Sequence, residues 1–222
     1  MFQRLSSIDA ANTKVAKSEK SLIGGEKIRI LSLSLMPDDE ICPARNIADC
    51  KDDCLRSSGR GIQQNVIDGR QARTDFWHAD HDAFLAMLKK ELHNFIKLCG
   101  RQNVVPVTRL NVLSDIPWEN HLDFADEFRA LFSYDYTKLP ARLGKTPENY
   151  RLMFSYSKAE KFQTQVKRAL EHRVPMTAVF RGGLPSQFLG RPVYDGDISD
   201  IANLEQIDSI IGLRVQGPEA KK

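Results

Sequence analysis

The stretch KIRILSLSLMPDDEICPARNIADCKDDC, residues 27–54, decides how the rest of the chain is read. Its opening sets Ile28 and Ile30, then Leu31, Leu33 and Leu35, against polar neighbours, which predicts a strand over residues 27–35. Met36-Pro37-Asp38-Asp39 breaks that strand. The loop that follows holds three of the four cysteines, Cys42, Cys50 and Cys54. A cysteine cluster at the end of a strand is where a parallel barrel would hold a metal, because such folds place their chemistry on the loops after the strands.

Outward from this loop, strands and helices alternate. A helix is predicted from Gln63. The clearest helix covers residues 82–98, where Phe84, Leu85, Met87, Leu88, Leu92, Phe95 and Ile96 form one apolar face. Asp80 or Asp82 suits its N-cap and Gly100 its stop. Further strands are expected over residues 104–113, 131–137, 151–157, 175–180, 192–195 and 209–215, and helical pieces over 121–129, 158–172 and 201–205. This alternation predicts an α/β fold with mostly parallel strands. Six or seven strands in roughly 190 residues suit a small or partial (β/α) TIM-like barrel, with a doubly wound open sheet as the competitor. The expected organisation is a polar N-terminal arm over 1–26, a single barrel-like domain over 27–217 and a tail over 218–222.

The 222 residues suffice for one good core. Apolar residues make up 41% and charged residues 27%, an ordinary globular composition. Lys plus Arg is 32 against 29 for Asp plus Glu, a net charge of +3, which permits contact with nucleic acid without indicating it. No run approaches the ~18 apolar residues of a membrane span. The N-terminus lacks the apolar segment of a secretory signal, so a cytoplasmic location is expected. Thiols stay reduced there, which favours metal ligation or catalysis over disulfides. The glycine-rich GxGxxG and GxxxxGK[ST] phosphate loops are both absent.

Polar side chains recur at the expected strand ends. The second strand carries Arg109 and Asn111 and runs into Asp115. The third carries Asp135 and leads to Lys138. The fourth carries Ser155 and Ser157, the fifth leads to Arg181, and a later one ends in Asp195-Gly196-Asp197. Charges inside apolar strands are costly unless paired. Together these residues predict a polar cup facing the cysteines. The competing reading is a set of core ion pairs, such as Arg109 with Asp115 or Asp135.

The cysteine spacing, Cys42-X7-Cys50-X3-Cys54, admits three readings. A [4Fe–4S] site with one iron open to a ligand needs three thiolates. A zinc site needs a fourth ligand from elsewhere, such as Cys99, a His or an Asp. The third reading is reduced thiols with no metal. His78 and His81, in HADH, read best as groups beside a helix cap. Trp77, Trp118, Tyr134, Tyr136 and Tyr156 read as packing residues rather than base-stacking platforms.

Several segments, taken in order, resemble the gene product 88-like family of bacteriophage proteins. They are Asn12-Thr13-Lys14-Val15-Ala16-Lys17 with residues 27–35, and the cysteine loop with Cys42-Pro43, Cys50 and Cys54. Next come Arg109-Leu110-Asn111, Ser114-Asp115-Ile116-Pro117-Trp118-Glu119 and Tyr134-Asp135-Tyr136-Thr137-Lys138. Phe154-Ser155-Tyr156-Ser157 and Asp195-Gly196-Asp197 with Asp200 complete the set. The layout is distantly similar to radical S-adenosylmethionine (SAM) enzymes, although the spacing is not their usual CxxxCxxC. The resemblance implies a phage-encoded protein in the host cytoplasm. The family supplies no reaction; the cysteine loop and that layout together lead to the expectation of an iron–sulfur enzyme of radical type, with Cys42, Cys50 and Cys54 holding the cluster and S-adenosylmethionine on its open iron. By their position at the expected strand ends alone, Asp115, Asp135 and Lys138 would be catalytic. Arg109, Asn111, Ser155, Ser157, Asp195 and Asp197 would bind the cofactor, and the substrate would be a small molecule or a macromolecule. The alternative is a non-catalytic phage accessory protein that binds a host protein, a nucleotide or nucleic acid through a degenerate barrel.

Overall fold

The structure is a computed structural model and describes residues 4–8, 18–20, 22–50 and 62–215. The strands are β1 (Ser7–Ile8), β2 (Leu22–Ile23), β3 (Glu26–Ser32), β4 (Val105–Arg109), β5 (Phe132–Thr137) and β6 (Tyr150–Ser155). They continue with β7 (Met176–Phe180), β8 (Gln187–Phe188), β9 (Arg191–Asp195) and β10 (Ile210–Arg214). The α-helices are α1 (Gln64–Ala79), α2 (His81–Gln102), α3 (Gln163–Leu170) and α4 (Asp200–Asn203).

All strands join one sheet, in the order β1-β3-β4-β5-β6-β7-β10-β9-β8, with β2 paired to β3. From β3 across to β9 every pairing is parallel. β1, β2 and β8 pair antiparallel at the margins. The mostly parallel α/β architecture is as expected. A closed barrel is not present among the described residues, because β1 and β8 end the sheet without pairing to each other. Nor is the order that of a doubly wound sheet, since β3 to β7 lie side by side in chain order.

Period-two alternation separates two apolar layers. On one face Leu31, Leu33, Leu110, Tyr150 and Phe154 pack with Trp77 of α1, with Phe84, Leu88, Leu92 and Phe95 of α2, and with Val166 of α3. We call this the helical face. On the opposite face Ile28, Ile30, Val107, Tyr134 and Met153 pack with Ile201 of α4 and Leu204. The N-terminal stretch reaches both: Leu5 is buried in the helical-face core, and the Ser18 hydroxyl accepts from Asp200 N–H at the start of α4. The rest of the N-terminal arm and the tail lie outside the described residues.

Where β3 runs past its short edge partner, α1 covers its backbone. Arg73 Nε donates to the Ser34 carbonyl at 2.9 Å, and the Thr74 hydroxyl accepts from Met36 N–H and donates to its carbonyl. Exposed strand edges invite mispairing, and these bonds block this one.

Helix α2 begins where expected, with the Asp80 carboxylate accepting from Ala83 N–H. It does not stop at Gly100. It continues to Gln102 and ends on Asn103 in the left-handed conformation, φ 51°. The helix expected over 121–129 is absent. Its buried Leu122, Phe124 and Phe128 sit on successive turns whose carbonyls are gathered by one side chain. Asn149 Nδ2 donates to Phe124, Phe128 and Leu131, taking acceptors that a helix would have used itself. The expected helix over 158–172 shortens to a 3-10 turn, Glu160–Phe162, and then α3.

Gly212 marks a tight approach in β10. A Cβ there would lie 2.8 Å from both Leu184 Cδ2 and Val193 Cγ1. Val193 is β-branched and held in register, so it yields little. Gly212→Ala is therefore expected to lower stability by about 1–3 kcal/mol in urea unfolding. An unchanged midpoint would contradict this packing.

Candidate functional site

The cysteine loop sits at the C-terminal edge of the sheet and is pinned from two sides. Asp115 N–H, beyond β4, donates to the Ile41 carbonyl at 2.7 Å. The Ser157 hydroxyl, beyond β6, donates to the Ala48 carbonyl at 2.6 Å. Within the loop, Cys42 N–H donates to Asp38, Arg45 N–H to the Cys42 carbonyl, and Cys50 N–H to the Arg45 carbonyl. The Cys50 thiol also lies 3.7 Å from that carbonyl. Cys42 and Cys50 are thus half-buried on turns that meet at Arg45. Arg45 is itself buried and donates to the Pro37 carbonyl.

Cys54 lies outside the described residues. Among the described residues, no group of three His, Cys, Asp or Glu side chains stands ready to hold a metal. Cys99 is buried in the helical-face core, where burial pushes its thiol up to about 11. His78 instead bonds Asp38 at 2.7 Å and lies 3.4 Å from Glu40. The bond to Asp38 raises its pKa and ties α1 to the entry of the loop.

The expected polar cup divides between the two faces of the sheet. Asp135, Asp115 and Asn111 meet on the helical-face side around Arg142. Arg142 donates to Asp115 at 2.7 Å and to both oxygens of Glu119 at 2.8 Å. It also donates to Tyr150 Oη, whose hydroxyl donates to Asp135 at 2.7 Å. Asn111 is saturated. Its N–H and Nδ2 donate to Asp135 and Nδ2 also to the Ile116 carbonyl. Its Oδ1 accepts from Ser114, Ile116 N–H and Trp118 Nε1. Burial works against the Arg142 charge, but Glu119, Tyr150 and Asp115 hold it protonated. Burial raises Asp115, opposed by Arg142, and pushes Asp135 up to about 6.

Arg109 points to the other face. Its register partner neighbours are Tyr134 and Tyr136, since Val107 pairs with Phe132. Its partner is therefore neither Asp115 nor Asp135. NH1 donates to Asp200 at 3.1 Å, and the guanidinium lies over the Tyr136 ring, 4.7 Å from its centroid. Tyr134 and Tyr136 hydroxyls also donate to Asp200.

The remaining expected residues fall in two further places. Lys138 N–H donates to Asp115, and its Nζ donates to Ser155 Oγ and to the Ser155 and Tyr156 carbonyls. This places Lys138, Ser155 and Ser157 along the edge that carries the cysteine loop. Asp195 and Asp197 both accept from Arg214 at the end of β10, in a more exposed turn.

Sequence reasoning missed Arg142, Glu119 and Tyr150. Arg142 lies in LPARLG, a cation inside an apolar turn, which is the same signal that drew notice to Arg109. Its partners are set by folding alone.

A family model described as gene product 88 matches residues 5–221. No curated protein matches, and no solved structure matches.

Arg142→Met should cost about 3–5 kcal/mol in urea unfolding, because it leaves two carboxylates buried without their cation. A loss under ~1 kcal/mol would contradict the network. Carboxyl carbon-13 NMR should show Asp135 titrating at about 6, against ~3.9 in an unfolded chain. The folded protein holds the proton through that window. This group's contribution to stability is therefore fully present below ~3.9 and is lost as pH rises through about 6. A midpoint below ~4 would refute the assignment.

Proposed function

The chain belongs to the gene product 88 family, a phage protein family, and we propose that it is a phage-encoded enzyme carrying an iron–sulfur cluster on its cysteine loop. The observation that carries this reading is the double clasp of that loop, Ile41 to Asp115 and Ala48 to Ser157. It holds Cys42 and Cys50 over the edge where parallel α/β folds place their chemistry.

The residues fit such a group. Thiolate sulfur is a soft donor suited to iron–sulfur clusters and zinc. The Arg45 backbone links the two turns, its N–H donating to the Cys42 carbonyl and its carbonyl accepting from Cys50 N–H. Cys42, Cys50 and Cys54 would be the ligands. A cluster with one iron open to S-adenosylmethionine would supply one-electron chemistry in the manner of radical SAM enzymes.

The chain's own groups have assignable parts in this reading. Ser157 and Asp115 position the loop. Lys138 and Ser155 lie beside it and would bind the polar end of the cofactor. Asp135, poised near neutral pH, would hold or release a proton through Tyr150. A partial (β/α) barrel, open at β1 and β8, would leave room for either a small or a macromolecular substrate.

A second reading is favoured by one observation. Asn111, Asp115, Asp135 and Arg142 bond one another in a buried network, as core residues do. In that reading the protein is a non-catalytic phage accessory factor that binds a host protein, a nucleotide or nucleic acid.

Iron and acid-labile sulfide analysis of anaerobically purified protein separates the two. The enzyme reading expects brown protein with about four of each per chain, and loss of both in Cys50→Ala. Colourless protein without iron after reconstitution sinks it. One zinc per chain would assign the loop a structural role instead.

A further inference from the structure

Buried polar atoms in folded proteins nearly always find a partner, so exceptions point to something absent. Among the described residues, two buried side-chain atoms have no hydrogen-bond partner: Ser34 Oγ and Arg109 Nε. They lie on adjacent strands, two positions apart in register. Ser32 pairs in register with Arg109. Two residues on, Ser34 stands between Leu33 and Leu35, both buried on the helical face, which leaves it on the face of Arg109. Diagonal positions on adjacent strands lie about 7–8 Å apart, a gap that a long side chain such as Arg109 spans in part.

The unmatched Nε–H and hydroxyl call for an oxygen acceptor. Arg109 is 6% exposed and shares Asp200 with the hydroxyls of Tyr134 and Tyr136, three donors among the described residues. The Nε–H of Arg109 stays unmatched. Along the same margin, Arg73 Nε is fixed on the Ser34 carbonyl. An oxygen anion would satisfy the Arg109 Nε–H and the Ser34 hydroxyl together, because a guanidinium edge matches carboxylate and phosphate oxygens.

We propose that Ser34 and Arg109 form a subsite for a small oxyanion, the carboxylate or phosphate group of a small-molecule ligand, on the face of the sheet opposite the helices. The subsite stands independently of any metal on the cysteine loop. Ser34 makes no hydrogen bond through its hydroxyl in the unliganded chain, so its removal tests binding without loss of a structural bond.

The test is calorimetric titration of the full chain with inorganic phosphate and with acetate, beside the variants Ser34→Ala and Arg109→Lys. The wild type should bind at least one of the two saturably, one per chain, and the tighter one identifies the ligand's group. Ser34→Ala should keep the melting temperature of the unliganded protein and bind about tenfold or more weakly, as expected for a hydrogen bond to a charged group. Arg109→Lys keeps a cation for Asp200 and lacks the Nε–H, and should weaken binding similarly. Absence of saturable binding in the wild type, or equal affinity in Ser34→Ala, would overturn the proposal.

Discussion

The Asp115 carboxylate carries more of this architecture than any other single group. One oxygen accepts from Arg142 and the other from Lys138 N–H, while its own N–H holds the Ile41 carbonyl. Four segments meet there: the exit of β4, the exit of β5, the Arg142 turn and the cysteine loop. Taking a carboxylate out of water is costly, and the cost is offset only when every lone pair finds a donor. That requirement fixes the loops beyond the strands as firmly as the ladder fixes the strands.

A second constraint is the two-residue period of a strand. Asp135 and Tyr134 are adjacent in sequence and face opposite layers. The first joins Asn111 and Tyr150, the second joins Arg109 and Asp200. The sheet therefore separates two charged clusters that the sequence lists together. One is closed on itself. The other retains an unmatched guanidinium nitrogen. The distinction gives the faces different capacities: the helical side stabilises the edge, and the opposite side keeps unused bonding potential.

Much of the fold was legible because its signals are local. The alternation in residues 27–35, the apolar stripe of α2 and the Asp80 cap each depend on neighbours within a few positions. What was illegible depended on distant partners. The turns of residues 121–130 look helical by spacing, and only Asn149, far along the chain, captures their carbonyls. Arg109 was recognised as a buried cation needing a carboxylate, yet its partner Asp200 is 91 residues away. For the same reason the location of the cysteine loop at a strand end was readable, while the clasps by Asp115 and Ser157 were not. Strand order beyond β7, with β10 inserted before β9, also has no local signature.

The central claim is that the clasped loop presents Cys42 and Cys50 as ligands to iron at the C-terminal edge of the sheet. Anomalous diffraction at the iron absorption edge, from crystals grown anaerobically, tests it most directly. The account predicts one anomalous peak bonded to the sulfur atoms of Cys42, Cys50 and Cys54. No iron peak at that loop, or a peak held by other residues, would contradict it.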